Sequence, residues 1–356
     1  MYCKECGVNV PEGARFCTNC GAKIELVPQQ ATNMTAGPRP PWEDDVMSAG
    51  ALQGQMPGAS LGQTPQAPLQ QAVRPRKRPA GATIALAFLI LFFGFVLQVV
   101  AYLVVEGLKL PVKTDTALVA VGAVVGCLGI VLLGGKRLLA PTKNAFVMAA
   151  KKGWWLIFTS LGLMVFELLS TFAGGEPVIE DGWPLRLLEI LALCIFIGLS
   201  EETSFRGLMF CSFLDAQGKS KKGLFVAAIL SSVIFGLAHI DWVGINYTDP
   251  LSLLQAVLKI VQTGSLGFFF AALVLRSKSV LGASLLHCLS DFLLLAPTTV
   301  LLNGSTDVNY VQTGEEAVAT TILYLIFIVL YIPLVVSGKR MLDGVGVPDF
   351  GPFHKE

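Results

Sequence analysis

From Gly81 onward the chain carries eight apolar runs, at about 81–105, 117–134, 154–173, 185–214, 224–240, 251–275, 279–296 and 316–337. A bilayer core of about 30 Å is crossed by roughly 20 apolar residues in helical form, so each run reads as a membrane span. Composition agrees. Of 356 residues, 53% are hydrophobic and 14% charged, whereas a soluble domain carries about 25% charged residues. The expected fold class is an all-α polytopic membrane protein of about eight transmembrane helices. A formal net charge of +1 argues against nucleic acid as a partner.

The loops give an orientation. Sixteen Lys and Arg lie next to the start of the first span (Arg74, Arg76, Lys77, Arg78) or close after the second, fourth, sixth and eighth, against two, Lys109 and Lys113, on the opposite side. The opposite loops EPVIED and DWVGINYTD are acidic. Basic residues stay on the cytoplasmic side, so both termini are expected in the cytoplasm, with the protein multi-pass in the plasma membrane. The cluster RPRKR (74–78) reads as an orientation anchor beside the first span. The opening residues lack the basic and apolar regions of a cleavable signal peptide.

Ahead of the membrane domain (81–340) stand two other zones, and residues 341–356 follow it as a cytoplasmic tail. Residues 25–80, rich in Pro, Gly, Gln, Ala and Ser, read as a disordered linker with too little apolar surface to offset chain entropy. Residues 1–24 place Cys3, Cys6, Cys17 and Cys20 at C-x2-C-x10-C-x2-C spacing, enough thiolates to close a tetrahedral zinc site. So short a segment would draw most of its stability from the metal. It resembles the zinc-ribbon modules at the N-termini of many bacterial membrane proteins. A structural zinc is expected there, and a protein partner docking on the ribbon is the open possibility. Cys127, Cys194, Cys211 and Cys288 lie singly in apolar spans and read as small packing residues.

Ionisable groups inside spans are costly unless they face a polar interior, and so mark functional positions. The fourth span holds Glu201, Glu202 and Arg206, the fifth His239 with Phe235 one turn before it, and the seventh His287 with Asp291 one turn after it. At about 100° per residue on an α-helix, Arg206 lies about 40° from Glu202 and about 140° from Glu201. It can therefore neutralise Glu202 and leave Glu201 for other work. Counting 1.5 Å per residue from the flanking lysines sets Glu201, His239, His287 and Asp291 at depths of about 27, 26, 14 and 20 Å. All four fall in the hydrocarbon zone. Glu189 and Lys259 read as residues that snorkel or face a partner helix. Glu167, near mid-span, has no assignment, and His354 is a tail residue.

The order E-E-x-x-x-R, F-x-x-x-H, H-x-x-x-D, as EETSFR (201–206), FGLAH (235–239) and HCLSD (287–291), resembles the CPBP family of intramembrane proteases. That family includes the type II CAAX prenyl endopeptidases and bacteriocin-processing and immunity proteins. The resemblance covers residues 150–300. It implies a peptidase acting on a membrane-associated or lipidated peptide, in which Glu201 activates water and His239 positions it. It also implies that His287 and Asp291 face the oxyanion, where Asn stands in one form of the family. An aspartate can instead accept from His287 and orient its ring. Two alternatives stay open. Glu201, His239, His287 and Asp291 could ligate a catalytic zinc, against which metal-independent hydrolysis is favoured. The fold could also serve as a non-catalytic scaffold or immunity protein working through its ribbon.

Overall fold

The computed structural model describes residues 81–175, 178–179, 181–217, 220–301, 311–314, 316–346 and 352–353, together with Val10 and Ala14. The expectations for Cys3, Cys6, Cys17, Cys20, the linker 25–80 and His354 lie outside the described residues. The chain divides into two units at Pro75 and Arg76, and every helix described belongs to the second.

Eight stretches of helix are long and apolar enough to cross a membrane. They are α1 (Ala82–Leu108), α2 (Thr114–Leu133), α3 (Lys143–Ala173), α4 (Trp183–Glu201) with its continuation to Gln217, α6 (Lys221–Ala238), α7 (Pro250–Ser277), α8 (Leu281–Val300) and α9 (Glu316–Asp343). In the fourth, α4 passes without a break into a π-helix, Glu202–Phe210, and then into the short α5, Cys211–Gln217. The eight expected spans are thus present. The third starts eleven residues earlier than the apolar run suggested, because Thr142 caps it by accepting from the Ala145 amide at 3.2 Å. Caps fix other starts in the same way. The Ser220 hydroxyl accepts from Gly223 at 3.0 Å at the head of α6. Asp249 accepts from Leu251 at 3.1 Å at the head of α7, with Pro250 in the first turn. These side chains supply partners for amides that a helix start leaves unpaired.

Large apolar side chains cover the outside of the bundle, among them Phe92, Leu132 and Phe166, a surface suited to lipid and not to water. α7 is the most enclosed span. It packs against α6 and α9, while α4 packs against α2 and α8, and α3 against α8. Two glycines let backbones meet where the polar residues lie. A Cβ on Gly198 of α4 would stand 2.5 Å from the Ser284 carbonyl of α8. One on Gly236 of α6 would stand 2.6 Å from the Ile260 carbonyl of α7. Small residues at such crossings are the usual means by which membrane helices approach closely. Of the cysteines expected as packing residues, Cys194, Cys211 and Cys288 are buried and Cys127 is half-buried; all four are free thiols.

Candidate active site

The π-helix carries the first motif. Its i→i+5 bonding puts more residues in a turn than an α-helix does, so the α-helical angles expected for 201–206 do not hold beyond Glu202. The pairing drawn from them nevertheless forms. Arg206 Nη1 lies 2.9 Å from Glu202 Oε1, and both side chains are 0% exposed. His287 of α8 reaches the same oxygen, with Nδ1 at 2.9 Å. A carboxylate only accepts, so Nδ1 is the donor and the ring is held by its Nδ1 edge. Glu202 therefore orients His287. Asp291 Oδ2 stands 3.6 Å away on the Nε2 side of the same ring.

Arg206 is enclosed by ring faces. Its guanidinium carbon sits 3.9 Å from the centroid of Phe235 and 5.3 Å from that of Phe270, and among the described residues its nitrogens have no hydrogen-bond acceptor in good alignment. Contact with π faces is the compensation available to a desolvated guanidinium. The same two phenylalanines touch the histidines: Phe270 stacks on His287 at 5.1 Å, and Phe235 meets His239 edge-on at 4.4 Å. Phe235 thus links the second motif to the first. Phe270 was not foreseen from the sequence, where it is one of three consecutive phenylalanines (268–270) with nothing to single it out.

One residue before this closed pair, Glu201 faces the other way. It is 25% exposed, and its Oε2 lies 3.6 Å from His239 Nε2 and 3.6 Å from His287 Nε2. That oxygen makes no direct hydrogen bond among the described residues. His239 occupies the C-cap of α6, and its Nδ1 lies 2.7 Å from the Phe235 carbonyl. A carbonyl only accepts, so Nδ1 carries a proton, and the ring turns its Nε2 edge toward Glu201. Glu201, His239, His287 and Asp291 therefore meet, as counting along the helices permitted, although it put His287 about one turn closer to the cytoplasm. Ser284 is elsewhere engaged, donating to the Val280 carbonyl at 3.1 Å.

Lys259, expected to snorkel or face a partner helix, is 9% exposed in the middle of α7, with its ammonium 5.9 Å from the centroid of Tyr324 on α9. Among the described residues no group of three or more His, Cys, Asp and Glu is arranged to hold a metal ion.

Residues 183–293 match the family model described as type II CAAX prenyl endopeptidase Rce1-like. Residues 2–24 match that of a zinc-ribbon domain. No curated protein and no solved structure matches the chain. The first match begins at α4 and ends two residues after Asp291, so it takes in all three motifs.

Proposed function

From an Rce1-like CAAX prenyl endopeptidase domain over residues 183–293, we infer that this membrane protein is an endopeptidase that hydrolyses a peptide bond within the bilayer. Its substrate is a membrane-associated or lipidated peptide. The observation that carries this reading is the pair of acceptors, Glu201 Oε2 and His239 Nε2, 3.6 Å apart. Their separation is beyond a direct hydrogen bond, and both can accept from one water. Glu201 takes the proton as the water oxygen attacks the peptide carbonyl carbon, and His239 holds the water in line. When its ring is charged, His287 donates from Nε2 to the developing oxyanion. The C–N bond then breaks, and the proton held by Glu201 passes to the leaving amine.

Glu202 and Arg206 have a different task. Fully enclosed, they hold the His287 ring and are positioning residues. No step in this scheme uses a metal at Glu201. The zinc we assign to the protein is structural, held by Cys3, Cys6, Cys17 and Cys20 and supported by the ribbon match.

The orientation, with both termini cytoplasmic in the plasma membrane, is part of the same proposal. It is supported by contacts among the basic loops. The Val280 amide donates to the Leu138 carbonyl and Ser279 to the Ala140 carbonyl, at 2.9 and 2.8 Å. Lys221 donates to the Leu342 and Asp343 carbonyls and Arg276 to that of Gly344. Four basic segments thus gather at one end of the bundle.

Comparative peptidomics of membranes from cells making the wild-type protein or Glu201→Gln tests the function. Peptides whose new termini appear only with the wild type are the expected result. Identical peptide sets at equal protein levels would favour the scaffold alternative.

A further inference from the structure

Lys259 is a buried ionisable side chain that the proposed chemistry does not use. It belongs to a polar stripe on α7, Ser252, Gln255, Lys259, Gln262 and Thr263, at helical spacings of three and four and buried throughout. A buried stripe of this kind on a membrane helix faces an interior and not lipid. Gln255 is committed to the backbone, donating to the Gln312 carbonyl at 3.0 Å and accepting from the Gln312 amide at 2.8 Å. Gln262 is bonded to the Tyr331 hydroxyl of α9 and accepts from Thr263 at 3.2 Å. The lysine head lies against Tyr324 of α9 and within electrostatic reach of Glu201 and Asp291. The interior that holds the water-activating carboxylate therefore has a cationic wall on its α7–α9 side.

We propose that Lys259 is a specificity-determining residue that takes a carboxylate of the substrate, on the α7–α9 side of the scissile bond. The proposal rests on the peptidase reading and narrows its substrate class to peptides that present an anion a short distance from the cut. A carboxylate brought into a water-poor interior must find a cation. Lys259 keeps 9% of its surface exposed, where Arg206 has none. The carboxylate could be a free C-terminus or an acidic side chain. A point-charge ammonium suits either, since it does not require bidentate geometry.

The test measures binding and cleavage separately, with the full chain in lipid nanodiscs. The probe is an internally quenched peptide ending in a prenylated CAAX sequence. It is made as the free acid, as the C-terminal carboxamide, and as a carboxamide with a glutamate introduced beyond the scissile bond. Binding is read in the His239→Ala background, which keeps both carboxylates that face Lys259.

An acid form should bind about tenfold or more tightly than the plain carboxamide, as a charge-assisted contact implies. The two acid forms identify which carboxylate is used. Lys259→Met should abolish that preference, and Lys259→Arg should keep part of it. Equal binding of acid and amide, equal weakening of both by Lys259→Met, or failure of every form to bind would each overturn the proposal. Equal weakening would make Lys259 a charge balancer for Glu201 and Asp291. Wild-type cleavage is scored apart. Acid-selective binding without cleavage sinks the peptidase reading and leaves the anion site. Cleavage indifferent to the carboxylate does the reverse.

Discussion

Glu201 and Glu202 are neighbours in sequence with opposite surroundings: one carboxylate opens onto two imidazole edges, the other is sealed against Arg206 and His287. The same substitution should therefore have opposite consequences. Glu201→Gln should leave the melting temperature of the detergent-solubilised protein near that of the wild type while removing hydrolysis. Glu202→Gln strands a buried guanidinium, and breaking a buried pair costs about 3–5 kcal/mol. It should lower the melting temperature sharply and lose activity with it. Equal thermal stability of the two variants would contradict the positioning role given to Glu202. This contrast was partly legible in the sequence, because residues four apart on a helix pair readily. What could not be read was the third partner. His287 is 85 residues from Glu202, and nothing in HCLSD tells which of its ring nitrogens is held, or by what.

Among the elements, the fourth span does the most to assemble the site, and its backbone explains where simple helical counting falls short. Angles of about 100° per residue describe an α-helix such as α4 and fail in Glu202–Phe210, where the π-helix changes the turn. π-Segments are frequent at functional sites and lack a clear sequence signature. The span then depends on close approach to α8 at Gly198, where even a methyl group meets the Ser284 carbonyl. Gly198→Ala should push α4 from α8, destabilise the protein by about 1–3 kcal/mol as overpacking does, and slow cleavage by moving Glu201 from His287. Gly162→Ala on α3, where no atom lies within 4 Å of an added Cβ, is the control and should change neither. If the two alanine variants melt alike, the α4–α8 crossing is not what holds the site together. Spans were legible because apolar runs report burial in lipid directly. The start of α3 was not, because residues 143–153 carry three lysines that mask a helix continuing beyond its apolar stretch.

For the whole molecule, orientation and metal content each have a direct readout. Val243 is 96% exposed at the loop between α6 and α7, on the side with few basic residues. Val243→Cys should react with an impermeant maleimide on intact cells, and Lys222→Cys only after the cells are opened; the reverse pattern would invert the topology. Zinc should track the ribbon and not hydrolysis. A Cys3→Ser, Cys17→Ser variant treated exhaustively with chelator should lose its zinc by elemental analysis and still cleave. Loss of cleavage restored by added zinc would instead place an ion among Glu201, His239, His287 and Asp291. The account as a whole depends on Glu201 acting on water in a folded, inserted protein. Single-turnover cleavage in proteoliposomes, with wild-type and Glu201→Gln protein matched for insertion, tests that most directly. The rate should fall by about 10²–10⁴, the usual contribution of a general base; an unchanged rate would contradict the assignment.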